Sequence, residues 1–288
     1  MAAKAKDSLA EVDAGGKFVR TAAGFREQVS PEHPVFKPEA DRYHLYISLA
    51  CPWANRCDAV RRLKGLEHII GCTVVHPTWQ RTRPGDAGDA HCGWFFHDSS
   101  TGEAVASSTG HGAFVIPKCT PDPLGHKFIR DLYEASEDNL GKYSVPVLWD
   151  KQTGRIVNNE SSEILRMINS QFNAFATNPS LDLTPTAHLA EIDAVNAMVY
   201  ENINDGVYKC GFAKTQEVGH HSTPVVPMPS SSSSSPHSFL SLSHGTRPRP
   251  MTLPFRACTP HSTPSRHSCL GSASSWARSS PRPTSAST

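Results

Sequence analysis

The pattern of hydrophobic and polar residues divides the first two thirds of the chain into short strands and helices. Apolar and aromatic side chains fill residues 43–49 and predict a strand. Pro52 suits the first turn of the helix that follows, which runs to Leu63. Residues 69–75 predict a second, buried strand. A strand, a helix and a strand in so short a span indicate a parallel βαβ unit with a right-handed crossover.

The rest of this part alternates between irregular and periodic stretches. Residues 76–124 are rich in Gly, His, Asp and Pro, and a loop of this length is usually functional or disordered. Its aromatic residues, Trp79 and Trp94–Phe96, predict an ordered excursion. The later pattern predicts a helix at 127–134, a strand at 144–150, a hairpin turn at 152–154 into a strand at 155–159, a helix at 160–168, and a long helix at 185–218 interrupted at Asn204-Asp205-Gly206.

Cys51 lies at the junction between the first predicted strand and its helix. The first N–H groups of a helix are unpaired, and the helix macrodipole favours negative charge there. A thiol in this place is expected to lose its proton more easily than a free thiol, and the thiolate is the nucleophile. A buried structural cysteine is the alternative, but the context Cys51-Pro52-Trp53-Ala54 favours a nucleophile.

Ala54 occupies the position where a disulfide oxidoreductase with a Cys-x-x-Cys motif carries its second cysteine. A single thiol cannot resolve its own mixed disulfide, so an external thiol must do so. Glutathione is the abundant external thiol of a cell. The stretch therefore predicts glutathione-dependent thiol chemistry.

Two later segments are candidates for the rest of such a site. Pro146, near the start of a predicted strand, indicates either a plain edge strand or the cis peptide that thioredoxin-like folds turn toward the active-site cysteine. Glu160 and Ser161 open a helix, which good capping alone would explain. In a functional interpretation the helix N-terminus and the Ser161 hydroxyl bind a carboxylate while Glu160 pairs with an ammonium. Those are the charged groups of a γ-glutamyl terminus.

Composition narrows the class of protein. The length of 288 residues predicts one or two domains, and the eight cysteines show no disulfide framework. Residues 1–6 contain no apolar signal, which with the cysteine usage predicts a reduced, cytoplasmic protein, and no apolar run reaches membrane-spanning length. His91-Cys92, with His97 and Cys119, lacks a recognised zinc spacing, so no metal is predicted.

The net charge of +1 combines two unlike parts. Residues 219–288 hold six of the 28 basic side chains and none of the 27 acidic ones, which leaves residues 1–218 with a net charge of −5. A mildly acidic body argues against nucleic-acid binding. The last segment is rich in Ser, Pro, His and Arg, with Ser230–Ser235 unbroken, and this composition predicts a disordered tail.

Four segments in order closely resemble the glutathionyl-hydroquinone reductases, which are the Xi class of glutathione transferases. They are Cys51–Ala54, Val145–Lys151, Ile156–Ile164 and Asn204–Ala213. The resemblance runs from about residue 15 to residue 218. It implies a thioredoxin-like α/β N-terminal domain at 43–170 behind an N-terminal arm at 1–42, then a truncated all-α C-terminal domain at 185–218. It also implies a homodimer, although the truncated C-terminal domain lacks much of the usual dimer support.

The resemblance also assigns roles to residues. It implies that Cys51 is the nucleophile, that Val145 pairs its backbone with the cysteinyl unit of glutathione before a cis Pro146, and that Trp94 lines the glutathione site. Glu160 and Ser161 would grip the γ-glutamyl end. Tyr200 and Tyr208 would touch a glutathionylated aromatic substrate, and Asn55 stands where the family pattern has His. Glutathione is then the co-substrate.

The resemblance ends abruptly at Glu217-Val218-Gly219. In a shifted reading frame, Trp276–Thr288 permits the sequence Thr-Glu-Ala-Asp-Val-Arg-Leu, a segment of the family's C-terminal domain. We hypothesise a retained intron or a gene-model error that continues out of frame. Leu189, Ile192, Val195 and Met198 would then face water. The chain would be poorly soluble and weakly active, and proteolysis would begin beyond Val218.

Three functions remain open from the sequence. The first is reductive removal of glutathione from glutathionyl-hydroquinones. The second is an omega-like thiol transferase that acts on other glutathione conjugates or mixed disulfides. The third is a catalytically inactive protein that binds glutathione.

Overall fold

The structure, a computed structural model, describes residues 5–6, 11–108 and 110–214. The strands are β1 (Tyr43–Ile47), β2 (Gly71–Val74), β3 (His76–Arg81), β4 (Cys92–Phe95), β5 (Val105–Ala106), β6 (Ala113–Phe114), β7 (Val147–Asp150) and β8 (Arg155–Asn158). The α helices are α1 (Pro52–Leu63), α2 (Ile129–Ala135), α3 (Ser161–Ser170), α4 (Leu189–Val199) and α5 (Gly206–Phe212).

One four-stranded sheet, in the order β2-β1-β7-β8, forms the centre of the first domain. β1 runs parallel to β2, with Leu45 opposite Cys72, and antiparallel to β7, with Leu45 opposite Leu148. Every residue of β1 and β7 is buried, as expected for strands covered on both faces. The parallel β1-α1-β2 unit and the β7-β8 hairpin followed by α3 give the thioredoxin-like topology, which confirms the predicted fold class. α1 and α3 pack against each other.

A buried ion pair joins the two central strands at one end. Arg42, just before β1, donates from Nε and Nη2 to the two carboxylate oxygens of Asp150 at the end of β7, each at 2.8 Å. The exposed fractions of the two side chains are 4% and 0%. Burial alone raises the pKa of Asp150, but hydrogen bonds from Arg42 and Thr153 outweigh it and hold this pKa below its usual value.

The described residues of the segment 76–124 form elements that the sequence pattern did not reveal. β3 pairs with β4 and β5 pairs with β6 in two separate antiparallel hairpins. Arg130 of α2 holds the first hairpin, because it pairs with Asp89 and donates to the Thr82 hydroxyl at 3.0 Å. The hairpin that carries Trp94 is therefore fixed to a helix of the domain.

The N-terminal segment lies along the first domain as an arm. Backbone hydrogen bonds join it to β8, and the N–H of Glu27 donates to the carbonyl of Val157 at 3.1 Å. Arg26 Nε donates to Glu163 of α3 at 2.8 Å. These contacts position the arm over the end of the sheet where α3 begins.

The predicted long helix at 185–218 is divided in the structure. A 3-10 turn at Thr186–His188 leads into α4, a π-helical segment spans Tyr200–Asn204, and α5 follows Asp205. None of the residues of α4 is buried, and Val195 is 49% exposed. The predictions for residues 215–218 of the helix and for the tail at 219–288 lie outside the described residues. Within the described part of the chain, no helix is both long and apolar enough to cross a membrane.

Candidate active site

Cys51 is the N-cap residue of α1. The helix begins at Pro52, as predicted, and Cys51 has an extended backbone with φ −105° and ψ 107°. Its N–H donates to the carbonyl of Ser48 at 3.0 Å, and its carbonyl accepts from the N–H of Ala54 at 3.1 Å. The side chain is only 9% exposed. The sulfur therefore lies at a helix start, but in a largely dry place.

The sequence predicted that Cys51 loses its proton more easily than a free thiol, and the burial of this side chain overturns that prediction. Desolvation raises the pKa of the Cys51 thiol above its usual value. Hydrogen bonds from the backbone of Ala54 and Trp53, together with the charges of Arg20 and Arg56, act in the opposite direction and do not overcome it. The sequence argument counted the helix N-terminus and could not count the loss of water.

The Val145-Pro146 segment lies directly against Cys51. The peptide bond between the two residues is cis, and β7 begins at the next residue. The Cys51 thiol donates to the carbonyl of Val145 across 3.6 Å. Because β7 lies between β1 and β8, the alternative of a plain edge strand is wrong. The backbone before Pro146 thus faces the predicted nucleophile.

Glu160 and Ser161 meet Arg56 at the start of α3. Glu160 is the N-cap, and its Oε1 accepts from the N–H of Ser162 at 3.1 Å, so the carboxylate rather than a serine hydroxyl caps the helix. The Ser161 hydroxyl oxygen accepts from Arg56 Nη2 at 2.6 Å and from Nε at 3.1 Å. Its own hydrogen remains available to donate. Arg56 also lies 3.9 Å from Glu160, so a cation, a carboxylate and a hydroxyl share one corner.

Two neighbouring cavities surround these groups. The first, here called the Glu160 cavity, has Glu160, Ser161, Val145 and Pro146 among its lining residues. The second, the Cys51 cavity, has a volume of about 270 Å³. Besides Cys51 its lining includes the aromatic rings of Phe18, Trp79, Trp94, Tyr143, Tyr208 and Phe212. The two cavities share Ser144, Val145 and Trp53 as a common wall.

The remaining predicted site residues divide between the cavities. Trp94 lies in the Cys51 cavity, where its ring meets that of Trp79 edge to face with centroids 5.3 Å apart. Tyr208 lies in the same cavity, whereas Tyr200 lines the Glu160 cavity and packs on Trp53. Trp94 is therefore not beside Glu160 and Ser161, and only one of the two tyrosines shares a cavity with Cys51. The roles predicted for these residues stay predictions.

Arg20 and Lys142 line both cavities, and sequence reasoning missed them. Arg20 comes from the arm, donates from Nε to Asp205 at 2.7 Å, and holds its guanidinium carbon 4.3 Å from the centre of the Tyr208 ring. Lys142 donates to Glu11 at 2.6 Å. An arginine in an irregular, polar segment gives no periodic signal, so only the folded chain reveals its place.

Metal ligands are not grouped in the described residues. No set of three or more His, Cys, Asp and Glu side chains among them is placed to hold a metal ion. The described site itself presents the Cys51 thiol, the cations Arg20 and Arg56, and the polar groups of the Glu160 cavity.

Comparison of the sequence with known proteins identifies a family and several relatives. Residues 50–171 match the glutathione S-transferase N-terminal domain. The chain is 41% identical over 228 residues to glutathione S-transferase omega-like 2 of Saccharomyces cerevisiae. The matched region covers 70% of this chain and 60% of that protein. It is 40% identical over 212 residues to the glutathionyl-hydroquinone reductase YqjG of Escherichia coli, with coverage of 70% and 56%.

Solved structures give the same result. The glutathione transferase Xi from Phanerochaete chrysosporium superposes with a TM-score of 0.61 at 42% identity, covering 73% of this chain and 60% of that one. The Xi glutathione transferase ECM4 from Saccharomyces cerevisiae in complex with glutathione gives a TM-score of 0.58 at 41% identity, covering 70% and 61%. The chain spans about 60% of the length of the curated relatives that it matches.

Proposed function

Because this chain is a homologue of the Xi-class and omega-like glutathione transferases, we propose that it binds glutathione and removes it reductively from glutathionyl-hydroquinones. Cys51 is the nucleophile of this proposal, and glutathione is the co-substrate. The relatives' names supply the substrate class. The arrangement of the two cavities around Cys51 supplies the physical argument.

One observation carries the proposal: the thiol of Cys51, which lines the Cys51 cavity, donates to the carbonyl of Val145, a residue that lines both cavities. A glutathione unit with its γ-glutamyl end at Glu160 and Ser161 brings its cysteinyl sulfur to Val145. Its sulfur then lies beside Cys51, and an aryl group attached to that sulfur enters the Cys51 cavity. Aromatic rings favour aromatic partners in offset or edge-to-face contact, so the lining of that cavity suits a hydroquinone.

The reaction then proceeds in two exchanges at sulfur. The Cys51 thiolate attacks the thioether sulfur, the bond between that sulfur and the aryl carbon breaks, and the carbon takes a proton as the hydroquinone leaves. A mixed disulfide between Cys51 and glutathione remains. The thiolate of a second glutathione attacks it, which restores Cys51 and releases glutathione disulfide. In sum one conjugate and one glutathione give one hydroquinone and one glutathione disulfide.

The charged groups of the site assist the first exchange. Arg20 and Arg56 favour the thiolate form of Cys51, although burial disfavours it. Arg56 stays cationic throughout, because guanidinium groups do not lose their proton in proteins. A bound ligand that displaces the remaining water strengthens the attraction between these cations and the sulfur.

Substitution of Cys51 by serine tests the proposal. Cys51→Ser should abolish release of glutathione from a glutathionyl-hydroquinone, measured by chromatography of the products. Cys72→Ser is the matched control, because Cys72 is a half-buried thiol on β2 that lines neither cavity, and it should leave turnover intact. Retained turnover in Cys51→Ser would refute the assignment.

The alternatives predict different results in the same assay. An omega-like thiol transferase, favoured by the similarity to the omega-like proteins, would reduce glutathione mixed disulfides faster than it cleaves the aryl conjugate. A catalytically inactive protein would bind glutathione without turning over either substrate. Steady-state rates on both substrates, with a binding measurement, separate the three.

A further inference from the structure

The hydroxyl group of Tyr133 links the two walls of the Glu160 cavity. Tyr133 lies in α2, is 1% exposed and lines this cavity. Its hydroxyl donates to the carbonyl of Ser144 at 2.9 Å and accepts from Asn159 Nδ2 at 2.8 Å. One buried oxygen atom therefore ties together two chain segments that are distant in sequence.

Each of these segments presents a predicted contact for glutathione. Ser144 directly precedes Val145, whose backbone faces the cysteinyl unit, and Asn159 directly precedes Glu160 at the start of α3. The hydroxyl of Tyr133 binds the residue directly before Val145 and the residue directly before Glu160. The separation between the cysteinyl contact and the γ-glutamyl contact thus depends on this oxygen.

Neither Asn159 nor the ring of Tyr133 can turn away easily. Asn159 Oδ1 accepts from the N–H of Phe25 at 3.0 Å, and the N–H of Asn159 donates to the carbonyl of Phe25 at 3.1 Å. The ring of Tyr133 is held edge to face by Phe25 and Tyr143, with centroids 5.7 and 5.5 Å apart. Burial raises the pKa of Tyr133 to about 12, so its hydroxyl keeps its proton and donates one bond while accepting the other.

We propose that Tyr133 is a positioning residue that fixes the distance from Val145 to Glu160 and thereby makes the site select a γ-linked glutamyl residue over an α-linked one. This inference rests on the proposed function. In γ-glutamyl-cysteinylglycine, the α-carbon that carries both the ammonium and the carboxylate is separated from the amide carbonyl by two methylene groups. In the α-linked isomer the carbon that carries the ammonium is bonded directly to the amide carbonyl, and the free carboxylate lies at the end of the side chain. The two methylene groups correspond to about 2.5 Å along the chain. A rigid cavity of fixed length distinguishes the two ligands, whereas a loosened cavity accommodates both.

The variant Tyr133→Phe removes the hydroxyl and leaves the ring in place. Asn159 Nδ2 and the Ser144 carbonyl then lose a buried partner, and the two walls shift relative to each other to recover one. Tyr43→Phe is the matched control, because the Tyr43 side chain is also fully buried, its hydroxyl donates one bond to the carbonyl of Lys37 at 2.7 Å, and it lines neither cavity.

The measurement is the ratio of two dissociation constants, obtained by titration calorimetry of the full chain with glutathione and with α-glutamyl-cysteinylglycine. We expect the preference for glutathione to fall at least about fivefold in Tyr133→Phe and to stay unchanged in Tyr43→Phe. Thermal unfolding verifies that both variants fold. Asn159→Ala removes the hydrogen bond from Asn159 to the hydroxyl, should shift the ratio in the same direction, and decides the question if Tyr133→Phe does not fold.

The possible outcomes separate the two proposals. An unchanged ratio in Tyr133→Phe, or an equal change in Tyr43→Phe, overturns the role of Tyr133 and leaves the proposed function standing. A wild-type chain that binds neither peptide, or binds both equally, overturns the role of Tyr133. The absence of glutathione binding also overturns the proposed function.

Discussion

Replacement of Glu160 by glutamine separates the two tasks that the structure gives to this side chain. Glu160 caps α3 through one carboxylate oxygen, which accepts from the N–H and the hydroxyl of Ser162 at 3.1 and 3.0 Å, and the residue also lines the Glu160 cavity. Glutamine has the same length and keeps an oxygen for the cap. It removes only the negative charge that is proposed to hold the ligand's ammonium.

The expected magnitude follows from the strength of charged hydrogen bonds. Such a bond contributes about 1.5–3 kcal/mol and a neutral one about 0.5–1.5 kcal/mol, so loss of the charge costs roughly 1 kcal/mol. The Glu160 side chain is 32% exposed, and solvent screening keeps the loss at this lower end. One kcal/mol corresponds to a weakening of glutathione binding of about fivefold, which titration calorimetry measures directly.

Two further variants make the result decisive. Glu163→Gln changes a second carboxylate of the same helix turn, which pairs with Arg26 and does not line the Glu160 cavity, so glutathione affinity should not change. Glu160→Ala should lose the cap as well and lower the free energy of unfolding by about 1 kcal/mol. If Glu160→Gln binds glutathione as tightly as the wild type while Glu160→Ala is less stable, Glu160 is only a helix cap and the assigned role is refuted.

Two other predictions concern stability and reactivity. Asp150→Ala leaves the buried cation of Arg42 without its partner and should lower the free energy of unfolding by about 3–5 kcal/mol in urea denaturation, and a loss below about 1 kcal/mol would contradict this. Because the folded pKa of Asp150 is depressed, its contribution is complete above about pH 5 and disappears as the pH falls through that folded value. Because burial raises the pKa of Cys51, the rate of its alkylation by iodoacetamide should rise about tenfold per pH unit between about pH 7 and 9. Peptide mass spectrometry measures this rate, and the fully buried Cys57 should stay unmodified. A rate that reaches a plateau below about pH 8 would show that the thiol is more acidic than this.

Local chemistry was enough to predict the elements that position Cys51. Pro52 specifies a helix start, and the apolar run at 43–49 specifies a buried strand, so the place of Cys51 at their junction follows from the sequence alone. The hydrophobic pattern around Pro146 could not distinguish a plain edge strand from a cis peptide before a central strand. In the structure the Val145-Pro146 peptide bond is cis, and β7 is a central strand.

Tertiary neighbours determine what the sequence could not predict. The pKa of Cys51 depends on how much water the surrounding side chains exclude, and the neighbouring sequence does not reveal how deeply the thiol is buried. The hairpins within 76–124 have short strands whose residues are partly exposed, so their hydrophobic pattern is weak. Arg20 reaches the site from a segment without periodicity, and its contact with Asp205 spans 185 residues of sequence.

That last contact has a consequence for synthesis on the ribosome. The arm leaves the exit tunnel before the sheet and the helices that follow it, and Asp205, the ion-pair partner of Arg20, is added 185 residues after Arg20. At the usual rate of about 5–20 residues per second, Arg20 waits for about 10–40 s before its partner exists. The strands and α1 can form during that interval, but the wall where Arg20 meets Tyr208 cannot. The Cys51 cavity is therefore completed only after Asp205 and Tyr208 have been synthesised, and nascent chains pass through a stage in which the thiol of Cys51 exists while the side chain of Arg20 has no ion-pair partner.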